Sequence, residues 1–194
     1  MSLVFGVGYI GDGEHKAFIG GKGVPHYEVW KGMLRRCYSN RFKENNKSYE
    51  SCSVHPDWHN FQNFADWYLS HEFYGLGYEL DKDILVQGNR EYSSTTCCLV
   101  PRQLNLLIQK PQKKSSKLPV GVTKAARGGK YMARIRMYGQ YKSLGNFETP
   151  ELAGKKYKEK KESYVKEVVR SWEGLISEDV YQAFVGWELK QDER

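Results

Sequence analysis

Two groups of side chains in this 194-residue chain have types and spacings that could do chemistry. The first is Cys52-x-x-His55, which stands at metal-ligand spacing, and Cys37 and Cys97 could complete a four-ligand structural zinc site with it. The same cysteines also read as small core residues, with Cys37 on the apolar stripe of a helix. The second group is Arg134 and Arg136. They stand in a run where Tyr131, Ala133, Ile135 and Met137 alternate with Met132, Arg134, Arg136 and Tyr138. A period of two puts both guanidiniums on one face of a strand, where forked donors could reach guanine edges or phosphates of a duplex. A solvated sheet face would show the same alternation. Gly6-Val7-Gly8-Tyr9-Ile10-Gly11 matches G-x-G-x-x-G, but it lacks the preceding strand and following helix of a dinucleotide site. His15, His26, His59 and His71 follow no spacing pattern, and no Ser/His/Asp or Cys/His triad can be assembled.

The elements that must position these residues fall into two stretches. Residues 1–25 are glycine-rich and read as an irregular arm. Over 26–38, Tyr27, Trp30, Met33, Leu34 and Cys37 form one helical stripe, with Lys31, Arg35 and Arg36 largely off it. A polar loop from Ser39 to Ser48 and a short run Cys52-Ser53-Val54 follow. Pro56-Asp57 then opens a second helix carrying Trp58, Phe61, Phe64, Ala65, Trp67 and Tyr68. That aromatic density reads as a core, since a base-stacking platform would need the rings exposed. Leu80 to Leu85 reads as a strand, Gly88-Asn89 as a turn, Thr96 to Val100 as a second run, and Pro101 to Leu107 as a proline-started helix. Gln109 to Lys117 is polar and lysine-rich, which sets a linker at 109–117 between 1–108 and 118–194. The second stretch predicts a strand over Val120–Lys124 and a turn over Ala125–Gly129. The alternating strand follows, then a hairpin turn at Gly139-Gln140 and a strand to Phe147. Thr149 and Pro150 start a helix running toward Trp172, with Leu152, Tyr157, Tyr164, Val165, Val168 and Trp172 as its apolar side. A further short helix and a charged tail complete an α+β chain.

Charge is distributed unevenly. Between Glu91 and Glu148 there is no acidic residue, yet 11 of the 30 Lys and Arg lie there; the other 19 share the rest of the chain with all 23 Asp and Glu. Such polarisation, on a net charge of +7, points to a polyanionic partner, nucleic acid first. No run of about 18 apolar residues predicts a membrane span. The N-terminus has no secretory pattern, and four cysteines without framework spacing fit a reducing cytoplasm.

Gly121-Val122, Ala133-Arg134-Ile135-Arg136 and Leu144-Gly145-Asn146-Phe147-Glu148-Thr149-Pro150-Glu151-Leu152-Ala153 follow the order G-V, A-x-I-R, L-G-x-F-x-T-x-E-x-A. Over about 118–160 the chain therefore resembles the AP2 (ERF-type) DNA-binding domain. The resemblance implies a three-stranded antiparallel sheet packed on a helix and double-stranded DNA as partner. It implies contacts from Lys124, Arg127, Arg134, Arg136 and Lys142, and Lys130 belongs to the same basic run. Arg134 stands where the family usually has Glu.

The first 108 residues resemble the N-terminal part of phage-encoded HNH/AP2 proteins. The carriers are Tyr27-x-x-Trp30-x-x-Met33-Leu34-x-Arg36-Cys37-Tyr38, the Trp58/Phe61/Phe64 spacing, Leu80-Asp81-Lys82-Asp83-Ile84-Leu85-x-x-Gly88-Asn89-x-x-Tyr92-Ser93, and Cys97-x-x-Val100. This resemblance implies a ββα-like module, often stapled by zinc, in which a histidine after Asp81 activates water against a phosphate held by one divalent metal. Lys82 occupies that histidine's place, and no histidine occurs from 72 onward. A lysine at its ordinary pKa cannot act as the base, although it could bind a phosphate. The sequence thus predicts a DNA-binding protein on an inactive HNH-like scaffold. One alternative is an active Mg²⁺-dependent endonuclease using Asp81, Asp83 and Asn105, and another is a module binding an acidic protein.

Overall fold

The computed structural model describes residues 3–109 and 118–190. The expected linker, Gln109 apart, lies outside the described residues. The fold is α+β and divides into two compact units, Met1–Asn105 and Leu106–Arg194.

In unit 1 the glycine-rich arm is packed down. The Cα of Gly8 lies against Trp30 and Leu34, with no room for a Cβ. The buried Gln62 accepts the backbone N–H of His15 at 3.0 Å and donates to the carbonyls of Ile10 and His15 at 3.1 and 3.0 Å. Both N–H donors and the oxygen of that amide are thereby used to hold the arm. A two-strand hairpin follows, β1 (Phe18–Ile19) and β2 (Lys22–Gly23), then helix α1 (Pro25–Tyr38). The five stripe residues of α1 are all buried, as the period of 3.6 requires. The expected polar loop contains a short helix, α2 (Asn40–Asn45). Ser39 caps it by accepting the N–H of Phe42, and the Phe42 ring lies against Tyr49 with centroids 5.6 Å apart. One aromatic contact thus gives a polar segment the tertiary support its composition does not signal.

Strand β3 (Ser53–Val54) pairs in parallel with β5 (Glu91–Tyr92), and β4 (Glu79–Asp81) pairs antiparallel with β6 (Cys98–Val100). The helix expected from Pro56 is two pieces. A 3₁₀ turn over Pro56–His59 is followed by α3 (Phe61–Ser70), because Asn60 leaves helical geometry and accepts the N–H of Gln62 at 3.0 Å. Trp58, Phe61, Phe64 and Tyr68 are buried, so the aromatic density is core. Helix α4 (Arg102–Ile108) follows β6.

Unit 2 holds the sheet β7 (Val122–Lys124), β8 (Tyr131–Met137) and β9 (Gln140–Phe147), antiparallel in that order. Helices α5 (Pro150–Val169) and α6 (Glu178–Val185) follow. Val122, Ala133, Ile135 and Met137 bury the inner face. The buried side of α5 is Ala153, Gly154, Tyr157, Tyr164, Val165 and Val169, whereas Leu152 is exposed. Small residues meet at that contact, Ala133 of the sheet and Ala153 of the helix, and they allow a closer approach than a leucine would. The β8–β9 turn is Tyr138-Gly139, one residue earlier than expected, with φ of 49° and 78°. Left-handed backbone at both positions is the signature of a type I′ two-residue hairpin. Tyr138 tolerates it while its N–H donates to the Tyr164 hydroxyl at 3.0 Å and its own hydroxyl donates to Glu167 at 2.7 Å.

Candidate nucleic-acid interface

The face of the unit 2 sheet away from α5 is set by one irregularity. Opposite β8, Gly145 pairs with Ala133 but Ser143 pairs with Arg134, so Leu144 is an extra residue in β9. Gly145 has a φ of 118°, backbone that suits glycine. The bulge lets Leu144 pack inward with Val122, Ala133 and Ala153 and shifts the alternation beyond it. Ser143 and Tyr141 therefore come to lie opposite Arg134 and Arg136 on the outer face. The guanidinium carbon of Arg134 stands 4.9 Å from the Tyr141 ring centroid and that of Arg136 stands 5.9 Å from it. The Nε of Arg136 also donates to the Gly139 carbonyl at 3.1 Å. Both arginines and Tyr141 are exposed, and among the described residues neither guanidinium has a carboxylate partner. The arrangement is a pair of oriented forks on an aromatic shelf.

The other basic residues expected at this surface are placed differently. Lys142 pairs with Ile135 and Lys124 with Tyr131, which puts both on the helix side of the sheet, solvent-exposed at its edges. Arg127 is exposed in the β7–β8 turn. Lys130 pairs with Glu148 at 2.6 Å. Tyr141 was not among the expected residues, although the two-residue turn at Tyr138-Gly139 fixes it opposite Arg136.

In unit 1, Asp81 ends β4 by accepting the N–H groups of Asp83 and Ile84 on Oδ1, at 2.8 and 2.9 Å, and this cuts short the strand expected to reach Leu85. Lys82 is buried, its Nζ 3.0 Å from Asp83 Oδ2 and 5.9 and 5.7 Å from the ring centroids of Tyr49 and Tyr92. Burial alone would lower its pKa. Asp83 and Asp81 outweigh that and hold it above the ordinary lysine value, so it stays charged. Asn105 donates to Glu79 Oε2 at 2.9 Å, and Arg102 meets the other oxygen of the same carboxylate at 2.9 Å. The structure thus brings Asp81, Lys82 and Asp83 together and ties Asn105 to Glu79 instead. All are engaged in holding their own loop and helix.

Burial, with Asp83 beside it, pushes the Asp81 carboxyl up to about 6. The folded chain then binds a proton that the unfolded chain has released, so this group's stabilisation is present below about pH 4 and is lost as the pH rises through 6. Thermal melts at pH 4, 5 and 6.5 should show wild type losing on the order of 2–3 kcal/mol relative to Asp81→Asn over that interval. Parallel profiles for the two proteins would refute the assignment.

The four cysteines are free and buried. Burial pushes the thiols of Cys37 and Cys97 up to about 12, and Cys52 adds to the rise at Cys37. His55 turns its Nδ1 toward Asp57 and takes that residue's N–H at 3.3 Å. Zinc needs thiolates converging on one point. Among the described residues no group of three or more His, Cys, Asp or Glu could hold a metal. Nor is any helix among them long and apolar enough to cross a membrane. No family model, curated protein or solved structure matches the chain.

Proposed function

We propose that the chain binds double-stranded DNA through the outer face of β7–β9, with unit 1 as a nuclease-like scaffold without cleavage activity. The observation that carries the reading is the pair Arg134 and Arg136, exposed on one pleated face around Tyr141 without carboxylate partners among the described residues. The absence of any acid between Glu91 and Glu148 keeps the local field positive. The three-strand-plus-helix order supports the AP2-like part of the reading. The antiparallel β4–β6 pair leading into α4 supports the HNH-like part. A buried, charged Lys82 where the general base would stand supports the absence of catalysis.

Arg134→Ala with Arg136→Ala should lower the affinity of the full chain for a duplex of about 25 base pairs by at least about tenfold at 0.1 M salt. The slope of log K against log salt should fall by about 1.8, at about 0.9 per phosphate-equivalent contact. Unchanged affinity and slope would eliminate the sheet as the binding face. Mg²⁺-dependent nicking that disappears in Asp81→Ala would establish a nuclease instead, and retention on an acidic protein but not on duplex would establish a protein-interaction module.

A further inference from the structure

We infer that unit 1 carries a second phosphodiester-binding surface, a strip of unpaired cations formed by Arg35, Arg41, Lys47 and Arg90 over the α1–α2 corner and the adjoining β5. This goes beyond the sheet reading, since it does not require Arg134 or Arg136 to bind anything. Residues 31–47 hold six Lys and Arg against the single acid Glu44, in a unit whose remaining charges lean acidic. Contacts link Arg35 to Arg90 past the sequence neighbours of Arg41 and Lys47, Phe42 and Ser48. Arg35 lies with its guanidinium carbon 5.4 Å from the Phe42 centroid, and Phe42 packs on Tyr49. Next to Tyr49, the Ser48 carbonyl accepts from Arg90 Nη1 at 2.7 Å, and the Arg90 carbonyl accepts the N–H of Ser53.

Arg35, Arg41, Lys47 and Arg90 are all exposed, and among the described residues none has a carboxylate within ion-pair distance. On α5 the picture is different: Lys156 pairs with Glu159 and Lys158 with Glu162, the local neutralisation of an ordinary solvated helix face. Arg36, next to Arg35 on α1, donates to the Tyr92 hydroxyl at 3.0 Å and adds a further cation, whereas the nearby Lys82 is paired with Asp83. Three of the four exposed cations are arginines, whose forks fit phosphate oxygens in pairs. A flexible acidic protein segment would not need that geometry, and the nucleic-acid backbone is the ligand class the strip fits best.

The test uses the full chain and a mixed-sequence duplex of about 25 base pairs, with affinity followed across a salt series. Arg35→Gln, Arg41→Gln and Lys47→Gln together should flatten the salt slope by about 2.7 and do so equally in the Arg134→Ala, Arg136→Ala background. Arg41→Gln with Lys47→Gln leaves the Arg35–Phe42 stack in place and should flatten it by about 1.8 with an unchanged melting curve. Slopes identical to wild type for both strip variants would overturn the inference. So would wild-type duplex binding with lost retention on polyglutamate, which would assign the strip to an acidic protein. A silent sheet variant beside an affected strip variant would refute the sheet reading alone.

Discussion

Gly121→Ala should weaken duplex binding by the sheet about as much as removing its two arginines, without altering a single charge. Gly121 has a φ of 78°, and a Cβ built there overlaps the ring of the buried Tyr157 on α5. The left-handed backbone costs an alanine about 1–2 kcal/mol and overpacking adds about 1–3 kcal/mol, against a total stability of about 5–15 kcal/mol for a domain. The strand after Gly121 pairs with Ala133, and the Gly121 carbonyl accepts the N–H of Arg134 at 2.9 Å, so displacement at 121 reaches the reading face directly. Denaturant titration followed by Trp172 and Trp187 fluorescence should show unit 2 losing several kcal/mol, and adding Tyr157→Leu should return part of it. Wild-type stability in Gly121→Ala would mean that β7 does not rest on α5 in this way.

Trp30→Ala should be the most damaging single change in unit 1, at about 3–5 kcal/mol. Trp30 is completely buried, its indole N–H donates to the Trp58 carbonyl at 2.7 Å, and its ring meets Tyr27 and Phe61 at 5.6 and 5.5 Å. It also forms the seat for Gly8 of the arm. Loss of the indole should therefore appear twice, as an early unit 1 transition and as rapid proteolysis within residues 3–24. Trp30→Phe keeps most of the volume and should retain an intact arm. A protected arm in Trp30→Ala would show that Gln62 holds it unaided.

The sequence announces the elements that obey a single period. The stripe of α1 and the alternation of β8 were legible because burial selects residues at 3.6 and 2.0, and both appear as read. What escaped was decided by particular side chains acting on the backbone. Asp81 stops β4 with its own carboxylate, Asn60 splits one expected helix into two pieces, and Phe42 supports a helix in a polar stretch. At the candidate site, Arg134 and Arg136 were legible from alternation alone. The places of Lys124 and Lys142 were not, because they depend on cross-strand register, which sets Lys124 opposite Tyr131 and Lys142 opposite Ile135. Lys82 could be recognised as the wrong residue for a base, but its burial between two tyrosines depends on residues some 30 positions upstream and 10 downstream.

The extra residue in β9 also bears on how such a surface can change through descent. Between Leu144 and the hairpin, the two-residue turn fixes which residues meet solvent, and the bulge absorbs the one residue left over. Loss of one codon at 144 would close the bulge and leave Tyr141 and Ser143 opposite Arg134 and Arg136, while removing the leucine that packs with Val122, Ala133 and Ala153. The outer face is thus insulated from a length change at this point and changes only by substitution. Gly145 at a φ of 118° is the residue whose backbone accommodates the extra length.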